Sequence, residues 1–193
     1  DWYHLFASPY SAKHYHSGLY DIISISNIAS ALDIDDIGIS QYLGSSISLT
    51  ITTCVLGGVI KNSKFFRVTA ASGGYSGAIT TCDGITINNC EFGVMAYARN
   101  AAGHSIYVNQ SLNLTFVNNR SYNGHFVFNT SFNCNVNGHD HVDRFVGVTN
   151  TTTGIFGISV LASSDNIVVY DITFGENGTI ANVYPYSGLF YSQ

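Results

Sequence analysis

Proline and charged side chains are both scarce in this chain of 193 residues. The two prolines, Pro9 and Pro185, lie outside the region that carries the internal repeats described below. Because proline cannot donate a ladder hydrogen bond, its absence from that region is what a series of internal strands requires. Charged residues make up 10% of the chain and hydrophobic residues 46%. This balance favours a β-rich extracellular or virion protein over a cytosolic enzyme with charged helices.

Other absences narrow the range of partners. The formal net charge is -5 and no run of Lys or Arg occurs, which disfavours a nucleic-acid partner. No apolar run approaches the length that spans a bilayer and no signal peptide is visible, so we expect no membrane insertion. The chain begins at Asp1 and its only methionine is Met95, so we expect a processed product or a part of a larger protein.

Cysteines are too few, at four, to define a disulfide scaffold in a chain of this length. Cys54 and Cys82 occupy the same place in two consecutive repeats, so stacking at a strand spacing of about 4.8 Å would put one above the other. That spacing permits a disulfide without requiring it, and we favour two free thiols in an apolar column. Asn-x-Ser/Thr sequons, which matter only in a eukaryotic secretory protein, begin at Asn109, Asn113, Asn119, Asn129, Asn150 and Asn177.

An internal repeat organises the rest of the chain. The stretch ITTCDGITINNCEF, from Ile79 to Phe92, has imperfect copies that begin at Ile51, Ile106 and Ile158. A period in the twenties with β-type content predicts a solenoid, in which each turn of chain buries its apolar face against its neighbours. One position marks the register, and with steps of 27, 29 and 53 residues it falls on Asn62, Asn89, Asn118 and Asp171.

The aligned copies predict three spatial columns. The first is an aromatic stack inside the solenoid, interrupted once by a serine. The second is a turn column, because an asparagine amide can bond to the turn above and tolerates a left-handed backbone. The third is a surface ladder of ion pairs, an interpretation that we prefer to catalysis. The columns are Phe65, Phe92, Ser121 and Phe174; Asn62, Asn89, Asn118 and Asp171; and Lys64, Glu91 and Arg120.

We predict a single structural domain with three segments. Residues 1–46 form an irregular N-terminal and capping segment, with one or two helical turns over 27–32. Residues 47–178 form a parallel β-helix, and residues 179–193 form a C-terminal segment. The step of 53 residues leaves room for an extra coil, which we place at 126–148.

The pattern Ile-Thr-Ile-Asn-Asn-Cys-Glu-Phe, with its asparagine turn and following aromatic, resembles a coil of the pectate-lyase-like β-helix proteins. That group includes bacteriophage tailspikes and capsule depolymerases as well as pectinases. The resemblance implies a single-stranded right-handed parallel β-helix of about six to seven coils. Low charge and abundant Ser, Thr, Asn and Tyr lean toward the tailspike branch. That branch implies a homotrimer on a virion tail or outside the cell, which binds and often cleaves a host surface polysaccharide.

The densest polar cluster holds the candidate catalytic residues His139, His141, Asp143 and Arg144. On one strand, the two histidines and Asp143 would share a face, while Asp140 would point the other way. A metal site, a carboxylate-oriented general base and an ordinary polar loop all fit this string. Polygalacturonases of the resembled fold use a Gly-His-Gly element, whereas the Gly-His pair of this chain is followed by Asp140, which argues against a pectinase. We assign no metal and no cofactor.

A second cluster holds the candidate substrate-binding residues Tyr97, Arg99, His104 and Tyr107. Loops that leave one face of a solenoid commonly build its binding groove. A lyase would need a base such as His or Tyr and a cation or amide that neutralises a uronate carboxylate, and these side chains are of the right types. Exposed aromatic rings could also stack on sugars without any catalysis.

Three functions remain open at this stage. The first is a tailspike or tail-fibre module that binds, and in some cases depolymerises, a host polysaccharide. The second is a structural or adhesive β-helix without a catalytic site. The third is a secreted polysaccharide lyase. A glycoside hydrolase would need two carboxylates about 5 to 10 Å apart, for which Glu91 with Asp143, or Asp171 with Glu176, are the available pairs.

Overall fold

The fold is an all-β stack of parallel strands, as the sequence predicted. Every regular element in the described residues is a β-strand, and three sheets form in which all pairings are parallel. No helix long and apolar enough to span a membrane occurs in this part of the chain. The computed structural model describes residues 14–18, 23–41, 48–67, 75–94, 104–122, 125–143, 156–176 and 188–192.

Each coil gives one strand to each sheet, in the order sheet B, sheet C, sheet A, so strands three apart in sequence pair in space. Sheet B contains β2 (Ile23–Ser26), β5 (Leu49–Thr52), β8 (Tyr75–Thr80), β11 (His104–Asn109), β14 (His125–Asn129), β17 (Phe156–Leu161) and β20 (Gly188–Ser192). Sheet C contains β3 (Leu32–Asp35), β6 (Gly58–Lys61), β9 (Ile85–Asn88), β12 (Thr115–Val117), β15 (Asn135–Asn137) and β18 (Val168–Tyr170). Sheet A contains β1 (His14–Gly18), β4 (Ile37–Gln41), β7 (Lys64–Arg67), β10 (Glu91–Val94), β13 (Arg120–Tyr122), β16 (Asp140–Asp143) and β19 (Thr173–Glu176).

One left-handed residue per coil sets the corner between sheet C and sheet A. The predicted turn column is confirmed, because Asn62, Asn89, Asn118 and Asp171 have φ angles of 52°, 52°, 53° and 55°. Nδ2 of Asn89 donates to Oδ1 of Asn62 at 2.8 Å, which is the predicted amide bond between successive turns. Gly138, with φ of 64°, takes the same place in a coil between Asn118 and Asp171. The backbone conformation of this corner is thus kept even where the asparagine is not.

The connections from a strand of sheet A to the next strand of sheet B differ in length. Residues 123–124 join β13 to β14, whereas residues 144–155 join β16 to β17. The step of 53 residues therefore divides at Gly138 into unequal steps of 20 and 33. Strands β14, β15 and β16 supply the extra coil predicted at 126–148, so that prediction is confirmed as far as residue 143, where the described residues end.

Inward-facing side chains form one continuous core along the stack. The predicted aromatic column is confirmed for its first two members: Phe65 pairs with Phe92 in register, and their rings stack with centroids 5.3 Å apart. Ser121 follows in the next coil as the predicted exception. The backbone of His141 then pairs with Ser121 on one side and with Phe174 on the other. Each buried phenylalanine contributes roughly 1.5–3 kcal/mol through loss of apolar surface from water.

The large aromatic side chains of the core come from different sheets in different coils. Sheet B supplies Phe126, whose ring centroid lies 5.3 Å from that of Phe116 and 6.5 Å from that of Phe92. Sheet A supplies Phe92, and a Cβ built on Gly77 of sheet B would lie 3.2 Å from its Cε1. A large side chain on one sheet thus faces a small one on another, which keeps the interior close-packed.

Buried serine and cysteine side chains line the corner between sheet B and sheet C. The backbone nitrogen of Cys82 donates to Oγ of Ser111 at 3.2 Å, and that of Ser111 donates to Oγ of Ser131 at 3.4 Å. Each hydroxyl satisfies a backbone donor that would otherwise be buried and unpaired. Cys54 and Cys82 are both buried and free, as predicted.

Two expectations for the N-terminal segment were wrong. Residues 27–31 form a corner and not helical turns, and β3 begins at Leu32. Asn27 adopts a left-handed φ of 54°, and Leu32 and Ile34 alternate into the core, so pairing of β3 with β6 outweighs the local helix propensity. Strand β1 lies within the stretch predicted to be irregular, and it pairs with β4.

Candidate functional site

The structure places His139 inside the coil and not on its surface. Its side chain is 1% exposed, its Nε2 lies 2.9 Å from Oγ of Ser121, and its ring centroid lies 4.2 Å from that of Phe126. Strand β16 begins one residue later, at Asp140, so the strand alternation assumed in the sequence analysis does not extend back to His139. A ligand on the outer surface would not touch this ring, and we leave His139 out of the candidate site.

The other candidate catalytic residues lie on β16 or beyond it. His141 and Asp143 belong to that strand, where the backbone of Asp143 pairs with that of Glu176. Arg144 lies outside the described residues. Asp140 lies on the outer surface, bonded to Arg120. The side chains of His141 and Asp143 also lie outside the described residues, so a catalytic role for these residues stays a prediction.

Of the candidate substrate-binding residues, Tyr107 is the one whose side chain the structure describes. Tyr97 and Arg99 lie outside the described residues, and His104 is the first residue of β11. On that strand Ile106 and Val108 are fully buried. The alternation of side chains along a strand therefore points Tyr107 outward, on the outer face of sheet B.

Tyr107 forms an aromatic pair with Tyr75 on the neighbouring strand β8. The ring centroids lie 4.6 Å apart and the planes are inclined by 19°, so the rings stack. Both side chains are half-buried. Burial raises the pKa of the Tyr75 hydroxyl, with a further contribution from the neighbouring Tyr107. The Tyr75 hydroxyl therefore stays protonated at neutral pH, and the pair offers an aromatic surface with polar tips.

An asparagine amide fixes the hydroxyl group of Tyr107. Nδ2 of Asn129 donates to the hydroxyl oxygen of Tyr107 at 3.0 Å and to Oδ1 of Asn109 at 2.8 Å. Asn109 and Asn129 are register partners on β11 and β14, so the bonds connect adjacent coils. The resulting tyrosine–amide cluster, Tyr75, Tyr107, Asn109 and Asn129, is ordered by contacts among its own members. Its geometry exists before any ligand arrives.

The sequence analysis missed Tyr75, Asn109 and Asn129. The relevant signal was the similarity of Ile106-Tyr107-Val108-Asn109 to the tetrapeptide that ends at Asn129, Phe126-Val127-Phe128-Asn129. Aligning these two stretches would have placed both asparagines in one column. The coil that contains Asn129 has Gly138 at the register position where the aligned copies have asparagine or aspartate, so the repeat pattern does not identify it.

The described strands around the cluster are polar and lack the four charged residue types. None of the seven strands of sheet B contains Asp, Glu, Lys or Arg. The outer face beside the cluster carries hydroxyl groups, whereas Ala78 and Val127, which flank Tyr107 in register, are buried. The hydroxyl-bearing positions with partial or full exposure are Ser24, Ser26, Thr50, Thr52 and Thr80.

Sheet A carries the charges instead. The predicted ladder is confirmed: Lys64, Glu91 and Arg120 are successive register partners, and Nζ of Lys64 lies 3.0 Å from Oε1 of Glu91. Asp140 extends the ladder, with its Oδ2 accepting from Nε of Arg120 at 2.7 Å. The hydroxyl of Tyr122 and the carboxylate of Asp140 raise the pKa of Arg120. Exposed pairs of this kind contribute little to stability.

Each carboxylate pair considered for hydrolysis includes one side chain outside the described residues, Asp143 in the first pair and Glu176 in the second. Glu91 and Asp143 lie on β10 and β16, with β13 between them, and Glu91 is bound by Lys64. Asp171 is the left-handed corner residue of its coil. The described residues hold no group of three or more His, Cys, Asp or Glu that could bind a metal ion. Neither pair provides two described carboxylates that face one ligand.

The structure also shows the environment of the sequon at Asn119. Asn119 is 1% exposed, its Oδ1 accepts from the backbone of Cys90, and its Nδ2 donates to the carbonyl of Ile87. The sequon at Asn119 is therefore closed to glycosylation in the folded chain, because its amide is part of the interior.

Comparisons with protein families, curated proteins and solved structures found no match. The parallel β-helix architecture thus stands on sheet order and register, which define it directly. The tyrosine–amide cluster on sheet B is the described outer surface that combines aromatic rings, fixed amides and hydroxyl groups without charge.

Proposed function

We propose that this protein is a polysaccharide-binding β-helix of the tailspike or tail-fibre kind, which holds a host surface polysaccharide on the outer face of sheet B. The observation that carries the proposal is the tyrosine–amide cluster: two stacked tyrosines whose polar tip is fixed by the Asn129 amide. The proposal includes a location on a virion tail or outside the cell.

The chemistry of the cluster suits sugars. One face of a pyranose ring presents C–H groups, which pack on aromatic rings, while its hydroxyl groups need donors and acceptors from side chains. Binding sites of this type combine apolar walls with a few fixed polar groups. Successive coils repeat at about 4.8 Å, so a polymer lying along the solenoid axis meets equivalent positions on each coil.

Binding without cleavage is favoured over hydrolysis by the state of the described carboxylates. Among the sheet A acids whose side chains the structure describes, Glu91 and Asp140 are each engaged by a cation, Lys64 and Arg120 respectively. A structural or adhesive role therefore stays as the second candidate. Incubation with capsular polysaccharides, followed by measurement of unsaturated-product absorbance and reducing ends, separates a lyase, a hydrolase and a pure binder.

The test of binding uses a polysaccharide panel and a matched pair of variants. Tyr107→Ala removes a ring of the cluster, whereas Tyr170→Ala removes a tyrosine that is 47% exposed on sheet C. We expect Tyr107→Ala to weaken binding about tenfold or more, as loss of an aromatic anchor does, and Tyr170→Ala to leave it unchanged. Equal losses in both variants, or no binding by the parent protein to any member, would overturn the proposal.

The proposal also includes assembly as a homotrimer. Its support is a set of exposed apolar side chains at the corner between sheets B and C: Val55, Leu56 and Leu112 are 57%, 59% and 40% exposed. Exposed apolar patches commonly mark surfaces of association. A solution mass of three times 20.9 kDa is the expected result, and a mass of one chain at micromolar concentration would contradict it.

A further inference from the structure

The three sheets divide charge unequally. Sheet B has no Asp, Glu, Lys or Arg on any of its seven strands, and Tyr107 lies near the middle of that surface. Sheet C carries Asp33, Asp35 and Lys61 on its strands. The strands of sheet A carry the largest share, namely Lys64, Arg67, Glu91, Arg120, Asp140, Asp143 and Glu176.

This division determines what kind of polymer the tyrosine–amide cluster can hold. A uronate or sulfate group that leaves water against strands without Lys or Arg gains no ion pair from them to compensate for its lost hydration. The cluster offers the Asn129 and Asn109 amides and the two tyrosine rings, which suit hydroxyl groups and C–H faces. An acidic polymer would gain no ion pair from sheet B.

The cations on the neighbouring sheet are already engaged. Lys64 lies 3.0 Å from a carboxylate oxygen of Glu91, and Nε of Arg120 lies 2.7 Å from one of Asp140. Recruiting either cation to an anionic ligand would leave its acidic partner unpaired. The formal net charge of -5 adds a repulsion toward polyanions over the whole molecule.

We propose that the ligand of the sheet B face is an electrically neutral polysaccharide, recognised through hydroxyl groups and sugar faces. This inference rests on the proposed function and specifies its substrate class. It assigns Tyr75 and Tyr107 the role of stacking platforms and Asn109 and Asn129 the role of hydroxyl partners. The charged ladder of sheet A takes no part in recognition.

The experiment measures binding by calorimetry to neutral surface polysaccharides and to the same polymers after carboxymethylation. Measurements are made at about pH 8, above the ordinary pKa of a histidine side chain. We expect at least one neutral polymer to bind, with less than a twofold change in affinity between about 50 mM and about 500 mM salt. Carboxymethylation of that polymer should weaken binding tenfold or more.

Variants show which face is responsible. Tyr107→Ala should abolish most of the binding, Tyr107→Phe should keep the ring and retain more of it, and Arg120→Ala should change it less than twofold. Thermal unfolding of each variant checks that the stack is intact. Tighter binding of acidic polymers, with strong salt dependence and loss in Arg120→Ala, would overturn the neutral-ligand inference while leaving polysaccharide binding in place. Absence of binding to every polymer would overturn the proposed function itself.

Discussion

At the scale of single residues, Gly138 shows how a corner conformation is preserved when its usual residue is absent. The corner needs a left-handed backbone, which Asn62, Asn89 and Asn118 adopt with the help of their side chains. Gly138 adopts it without a side chain. A Cβ there would collide with Oδ1 of Asn118 from the preceding coil. The side chain of one coil therefore occupies the space that the next coil leaves empty.

Gly138→Ala should destabilise the protein by about 1–3 kcal/mol, because it combines a positive φ with a steric clash. Urea unfolding measures the change. Asn118→Gly in the same chain removes the colliding oxygen, so the double variant should recover part of the loss. Equal stability of Gly138→Ala and the parent protein would contradict this account of the corner.

The buried thiols provide a second prediction at this scale. Burial raises the pKa of Cys82 to about 11 and that of Cys90 to about 12, from an ordinary value of 9.0. Because the thiolate is the reactive form, both should resist alkylation at about pH 8 in the folded protein and react promptly in denaturant. Mass spectrometry after iodoacetamide treatment measures the difference. Rapid labelling of Cys90 without urea would contradict this prediction, because it would show that the interior around this thiol opens readily.

The same shifts predict a direction for stability against pH. A raised pKa in the folded state means that the folded chain keeps these protons when the unfolded chain releases them. Their contribution is complete below about pH 9 and is lost as the pH rises toward about 12 for Cys90. Replacing Cys90 with serine should reduce the alkaline loss, as measured by urea unfolding between about pH 8 and about pH 11.

At the scale of strands, a large side chain on one sheet packs where a neighbouring sheet has a small residue. Phe92 of sheet A leaves little room at Gly77 of sheet B, where a Cβ would lie 3.2 Å from its ring. Ser121 of sheet A instead bonds to His139, whose ring packs against Phe126 of sheet B. The sequence alone predicted the Ser121 exception but not its cause. The cause lies on another strand, and a repeat alignment compares only equivalent positions on the same strand.

Gly77→Ala should destabilise the protein by about 1–3 kcal/mol, because the new methyl would lie 3.2 Å from Cε1 of Phe92. Phe92→Leu frees space on the opposite sheet. The double variant should therefore lose less stability than the sum of the two single variants, a coupling that a double-mutant cycle measures. Strict additivity would mean that Gly77 and Phe92 do not share this space.

At the scale of the whole molecule, the period of the sequence predicted what every coil has in common. The aromatic, turn and charge columns follow from it, since equivalent residues of stacked coils become neighbours. The tyrosine–amide cluster could not be predicted in this way, because it joins Tyr75 on one coil to Asn129 two coils on. The burial of His139 was missed because a corner, and not a strand, determines where its side chain points.

The connection from sheet A to sheet B varies in length from coil to coil. It is two residues long at 123–124 and twelve residues long at 144–155. Longer or shorter connections there leave the pairings of all three sheets unchanged, as the neighbouring coils of this chain already show. This connection is therefore a suitable insertion site, because a foreign peptide added there should leave the interior of the solenoid unchanged.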